Sequence, residues 1–225
     1  MKDKLLKLFE SSKQEFLQEC SDIPFIPKGI TNAEGLFLWS LVKAYKPDMI
    51  FESGVSQARS TEILCRAAEK YKVKNVLAID KSDLYFDNVS KKLAKYEILD
   101  YKISDSYEYI KEKMPFGNSD IGCFVDGPKH GKPLENLLLF LKQCNLHFLV
   151  VHDCFQGSPT LQSVKAVWKQ FIKAGFYACI LDKSYLSDMS INDTLKEETK
   201  KIAPEKVQNM DGRCCEVALF CKGMI

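Results

Sequence analysis

Met49-Ile-Phe-Glu-Ser-Gly-Val-Ser-Gln-Ala-Arg-Ser-Thr61 is the stretch on which the reading of the fold turns. An apolar, β-branched and aromatic run stopped by a lone Gly54 reads as a buried strand meeting a tight turn. Ile63, Leu64 and Ala67, with Cys65 and Ala68 alongside, then give helical spacing. Strand, turn and helix in that order build ligand pockets in α/β proteins, because the turn backbone and the helix N-terminus face the same point.

Upstream, residues 3–20 read as an amphipathic helix with Leu5, Leu6, Phe9, Phe16 and Leu17 on one side. Residues 22–28 carry two prolines and form a connector. Thr31, with Glu34 three residues on, has the capping-box pattern and opens a helix that ends before Pro47.

Downstream, strands and helices alternate. Asn75-Val-Leu-Ala-Ile-Asp80, Tyr101-Lys-Ile-Ser104, Ile121-Gly-Cys-Phe-Val-Asp126 and Phe148-Leu-Val-Val-His-Asp153 read as strands two to five. Helices are expected over residues 84–95, 106–114, from Pro133 through 141, and over 160–173 up to Gly175. Residues 177–181 and 216–221 are the last two strands, with no convincing helix between them. That order predicts a doubly wound, Rossmann-like α/β sheet of seven strands, mostly parallel with an antiparallel last strand. Residues 1–28 are then an N-terminal helix and connector, and 29–225 one domain. Its polar stretch 182–213 is over-long for a hairpin and reads as a lid or flexible insertion.

Composition excludes several classes. At 46% hydrophobic and 28% charged residues, the 225-residue chain is ordinary for a globular protein. A net charge of +2 gives no electrostatic case for nucleic acid. No apolar run is long enough to span a membrane, and the charged start Met1-Lys-Asp-Lys-Leu-Leu-Lys lacks a signal-peptide core. The nine cysteines are scattered without a Cys-x-x-Cys pair, which speaks for reduced thiols rather than a zinc framework. A cytoplasmic protein is the expectation, with homodimer formation left open.

In such sheets the ligand crevice lies beyond the carboxyl ends of the strands. Glu52, Asp80, Asp126 and Asp153 all fall there. A dinucleotide fingerprint from Gly54 would need glycine where Ser56 and Arg59 stand, and the phosphate loop fails at Arg59 and Ser60. A ligand with ribose but no phosphate fits better. Asp80 can accept from ribose hydroxyls, Gly54 allows backbone approach, and Ser60 offers a hydroxyl near the helix start.

Ile30-Thr-Asn-Ala-Glu-Gly35, followed by Phe51-Glu-Ser-Gly-Val-Ser-Gln-Ala-Arg-Ser60, resembles class I S-adenosylmethionine-dependent methyltransferases. Among them it is most similar to the small O-methyltransferases of the catechol and caffeoyl-CoA type, over residues 30–156. The resemblance implies that Glu52, Gly54 and Ser60 hold the methionine part of S-adenosyl-L-methionine and Asp80 its ribose. It sets Asp105 and Ser106 beside the adenine. It also implies catalysis at Val125-Asp126-Gly-Pro-Lys129, and Mg²⁺ on Asp126, Asp153 and the position after it. Here that position is Cys154, and a thiol is a poor replacement for the hard oxygen ligand Mg²⁺ wants. Two carboxylates with waters would hold the ion weakly, so the sequence leans towards loss of the metal. Ala58 stands where the family carries glycine, which crowds the turn if φ is positive there.

The expected reaction is methyl transfer to a hydroxyl of a small molecule or sugar, with Lys129 as general base. Lys129 would have to be desolvated to lose its charge; His130 and His152 are the alternative bases. His152 is expected to pack or hydrogen-bond within the sheet, and Trp168 to be core. The rival readings are a catalytically degenerate cofactor-binding or structural relative, and a dinucleotide enzyme, which the missing glycines disfavour.

Overall fold

The computed structural model describes residues 2–24, 26, 29–181 and 217–223. The expected lid at 182–213 lies outside the described residues.

The chain begins with helices α1 (Lys2–Cys20) and α2 (Asn32–Tyr45), then strand β1 (Met49–Ser53). Alternation continues through α3 (Arg59–Tyr71), β2 (Asn75–Asp80), α4 (Phe86–Leu93), β3 (Leu99–Ile103), α5 (Ser106–Lys113) and β4 (Ile121–Val125). It ends with α6 (Gly131–Gln143), β5 (Leu146–Val151), α7 (Pro159–Lys173), β6 (Phe176–Leu181) and β7 (Val217–Lys222). The strands form one seven-stranded sheet in the order β3-β2-β1-β4-β5-β7-β6. Only β7 runs against its neighbours β5 and β6; all other pairings along the sheet are parallel. The doubly wound expectation therefore holds. Strand five is the main shift, ending at Val151 rather than Asp153.

Alternate residues of the central strands enter separate cores, as a period of two requires when both faces are covered. Ile50, Val76, Ala78, Phe124, Phe148 and Val150 pack beneath α1, α2 and α3. Phe51, Leu77, Ile79, Cys123, Val125, Leu149 and Val151 pack with α5, α6 and α7. Gly122 is paired with Phe148 across the β4–β5 ladder, and a Cβ on it would stand 2.3 Å from the Phe148 ring. Absence of a side chain there is what admits the ring.

The capping box opens α2 as expected: Thr31 Oγ1 accepts from Glu34 N, and Glu34 Oε2 accepts from Thr31 N at 2.6 Å. The helix buries Leu36, Phe37, Trp39 and Leu41 completely. Trp168 packs on Phe220 and is only half-buried, less deep than the expected core position. Cys20, Cys65, Cys123, Cys154 and Cys221 are buried and form no disulfide among the described residues. Among the described residues no helix is long and apolar enough to cross a membrane.

Candidate active site

β1 and β4 lie side by side at the centre of the sheet, and their carboxyl ends nearly touch. Gly54 has φ +90°, and a Cβ there would stand 2.8 Å from Gly127 N and 2.9 Å from Asp126 C. Only glycine lets the two turns pass this closely. Asp126 N and Gly127 N both donate to Ser53 O, at 2.8 and 3.0 Å, while Ser53 Oγ donates to Gly127 O. The same hydroxyl reaches Ser106 Oγ at the start of α5, 2.6 Å away.

The turn then climbs into α3 through Ala58, which sits at φ 63°, ψ 31°. The left-handed conformation implied by the glycine-for-alanine difference is thus present, carried by an alanine that is fully buried. α3 begins with no side-chain cap, so its first N–H groups remain available along the helix axis.

Asp80, at the end of β2, secures this turn. Its Oδ2 accepts from Val55 N at 2.8 Å and Ser56 N at 2.7 Å, and its Oδ1 from Ser82 N at 2.8 Å. Three of roughly four acceptor sites are in use, which leaves Oδ1 room for one more donor. Asp105 caps α5 by accepting from Tyr107 N and Glu108 N, with Lys81 Nζ at 3.6 Å from its other oxygen.

Glu52 is completely buried on β1. Ser60 Oγ donates to its Oε1 at 2.5 Å, and Oε2 has no hydrogen-bond partner. Burial pushes its carboxyl up to about 8, against the hydrogen bond of Ser60 and the nearness of the Thr61 hydroxyl and with help from the charges of Asp126 and Asp80. A buried carboxyl oxygen without a donor is a costly feature to keep.

Across the β4 turn the acids of β4 and β5 come together. Lys129 Nζ donates to Asp126 Oδ1 and, at 2.7 Å, to Asp153 Oδ2. His152 Nδ1 lies 2.8 Å from Asp126 Oδ1, and His152 Nε2 lies 2.9 Å from Glu34 Oε1. Asp126, His152 and Asp153 offer ligand atoms within 4.8 Å of one another. Burial draws the Lys129 ammonium down, but the charges and hydrogen bonds of Asp126 and Asp153 outweigh it and hold it above the ordinary lysine value. Such a lysine stays charged, which works against its accepting a proton.

The supports of this cluster come from α7. Thr160 Oγ1 donates to Lys129 O, and Ser158 Oγ donates to Asp153 O at 2.8 Å. Asp153 takes φ 59°, a left-handed value that Asp tolerates better than most residues. Cys154, in the position where the resemblance implies a metal ligand, is fully buried with Sγ turned to Val151 O and His152 O.

Four acids read from the strand ends thus lie at the same edge of the sheet, tied to one another through the β1 and β4 turns and Lys129, with Gly54, Ser60 and Ser106 beside them. His130 is not drawn in: it is exposed at the N-cap of α6, with no side-chain cap bond. Sequence reasoning missed the Glu34–His152 pair. His152 is 5% exposed and Glu34 2%, and they bridge α2 to the β5 turn.

No protein-family model matches the chain, and no curated protein matches it. Solved structures do. An O-methyltransferase from Bacillus cereus in complex with SAH matches at TM-score 0.61 and 14% identity, over 96% of this chain and 91% of that one. TomG, an O-methyltransferase from Streptomyces achromogenes in complex with SAM, matches at TM-score 0.61 and 13% identity, over 98% and 90%. A precorrin-6y C5,15-methyltransferase from Geobacter metallireducens matches at TM-score 0.55 and 9% identity, over 91% and 96%. At such identities the likeness is one of fold. It bears out the Rossmann-like sheet expected from the strand order and shows the fold alone.

Proposed function

We propose that the chain is a methyltransferase that uses S-adenosyl-L-methionine to methylate a hydroxyl of a small molecule or sugar. The observation that carries the proposal is Glu52: a fully buried carboxylate with one oxygen unpartnered, at the crossing of β1 and β4, in a fold whose solved examples include SAM- and SAH-bound methyltransferases. That orphan oxygen fits the ammonium of an amino-acid moiety.

The remaining candidates fit the rest of such a cofactor. Gly54 lets it approach the backbone, the uncapped start of α3 offers N–H donors to its carboxylate, that of Ser60 among them, and the open capacity of Asp80 Oδ1 suits a ribose hydroxyl. Asp105 and Ser106 line the side where the adenine would lie. When bound, the cofactor supplies a methyl group already activated by its sulfonium, so the protein's task is alignment and removal of one proton.

Asp126 is the proposed proton acceptor. Its Oδ1 is engaged by Lys129 and His152, which leaves Oδ2 as the oxygen to take the proton. Lys129, held charged, faces the acceptor oxygen as a donor instead of a base. In the transfer one C–O bond forms, the C–S pair stays on sulfur, and the hydroxyl proton leaves. As that oxygen bonds to carbon its proton becomes strongly acidic, so a carboxylate suffices. The free thiols agree with a reducing, cytoplasmic setting.

Thermal unfolding with SAH and with NAD tests the binding half, since a ligand of the native state raises the melting temperature. A labelled-methyl acceptor screen tests the transfer. A shift with NAD alone would overturn the reading; binding of SAH without turnover on any hydroxylated acceptor would leave the degenerate relative.

A further inference from the structure

The resemblance implies Mg²⁺ at the ends of β4 and β5, and the residues there do not fit it. Mg²⁺ demands a near-octahedral shell of hard oxygens. Cys154 is turned away, with Sγ against the carbonyls of Val151 and His152. Both nitrogens of His152 are already engaged, by Asp126 and Glu34. Between the two carboxylates that remain lies the ammonium of Lys129, bonded to Asp126 Oδ1 and, at 2.7 Å, to Asp153 Oδ2.

Charge points the same way. The Lys129 ammonium already sits as a cation between the Asp126 and Asp153 carboxylates, and a divalent ion could enter there only by displacing it.

We infer that Lys129 is a resident cation standing in the metal's place, and that this site works on single hydroxyls without a metal. The inference rests on the methyltransferase reading for its substrate, but not for its metal-site content. Lysine has three N–H donors. Two are spent on Asp126 and Asp153, and the third is left for one acceptor oxygen, whose proton faces Asp126 Oδ2. A bound metal with open positions can chelate two adjacent oxygens; one remaining N–H can hold only one. The acceptor class is accordingly an isolated hydroxyl, with no requirement for a vicinal diol.

Mn²⁺ titration of the full chain, followed by the electron paramagnetic resonance of free Mn²⁺, tests the cation substitution without any methyl transfer. The wild type and Lys129→Arg leave Mn²⁺ free to ~1 mM. Lys129→Ala and Lys129→Gln, which empty the space between the carboxylates, bind one ion, roughly tenfold or more tighter, and adding Asp153→Asn abolishes it. One Mn²⁺ bound to wild type and lost in Asp153→Asn would overturn the inference. So would two folded Lys129 variants that bind none. If the protein methylates, turnover that is unchanged by EDTA on mono-hydroxylated acceptors is the second expected result; a strict need for vicinal diols would overturn the specificity. Failure to bind SAH would instead remove the methyltransferase reading and leave the Mn²⁺ result standing.

Discussion

Replacing Glu52 by Gln separates stability from binding in one side chain. Burial holds this carboxyl at about 8, far above the ordinary glutamate value of 4.5. Between those two pH values the folded protein keeps a proton that the unfolded chain releases. Stability therefore falls as pH rises across that window, by about 1.4 kcal/mol per pH unit from this group. At pH 7 the accumulated cost is on the order of 3 kcal/mol. Glutamine has the same shape and no charge to bury, and it can still accept from Ser60. Its amide N–H₂ lacks a placed acceptor, which returns about 1 kcal/mol. The net expectation for Glu52→Gln is a gain of about 2 kcal/mol at pH 7, a rise of roughly 4–8 °C in melting temperature for a chain of this size.

Denaturant unfolding at pH 5.5 and 7.5 measures the effect. Wild type loses about 2–3 kcal/mol relative to the variant between the two. Calorimetry with SAH reads the other half. An ammonium beside Glu52 would lower its pKa, so binding to wild type near pH 7 releases a proton into buffer, and the variant binds weakly and releases none. Parallel pH profiles for the two proteins would refute the burial argument. A stabilised variant with unchanged SAH affinity would refute the assignment of Glu52 to the cofactor.

Ala58→Gly relieves a left-handed alanine and should stabilise by about 1 kcal/mol at most, less whatever the freer unfolded chain regains; a loss of melting temperature would contradict the strain. Gly54→Ala places a Cβ 2.8 Å from Gly127 N. It should both lower the melting temperature and weaken SAH binding at least ~10-fold, as one misaligned turn serves both; normal affinity would show that the turns can part freely. Glu34→Gln removes the carboxyl partner of His152 and should cost about 2 kcal/mol. In a double-mutant cycle with His152→Asn the two costs should fail to add, and additivity would mean that the pair is not coupled.

Much of this site was legible because its acids sit at strand ends, where local pattern and topology coincide. Glu52, Asp80, Asp126 and Asp153 needed only the period-two runs before them and the rule that crevices lie beyond carboxyl ends. Glu34 shows the opposite case. Its capping box is real, so the local pattern accounted for the residue fully, and nothing in it announced a second partner 118 residues away. His152 was read as a packing or hydrogen-bonding residue of strand five; the strand stops one residue earlier, and the ring turns towards Asp126. The protonation of Lys129 was equally invisible, because it depends on Asp153 as well as on the neighbouring Asp126.

The charge of the β4–β5 cluster ties these features to the proposed reaction. Methyl transfer from a sulfonium abolishes one positive charge in the cleft and sets one proton free on the acceptor side. A neighbouring positive charge weakens a carboxylate as a proton acceptor, so Asp126 becomes a better acceptor as the sulfonium charge disappears. A site holding a divalent ion works differently, lowering the pKa of the hydroxyl before transfer begins. The two designs predict different pH–rate behaviour. With Lys129 as the cation, Lys129→Arg preserves the profile while Lys129→Ala displaces it. An unchanged profile in Lys129→Ala would mean that the ammonium only ties two loops together. Its third N–H would then have no part in holding the acceptor.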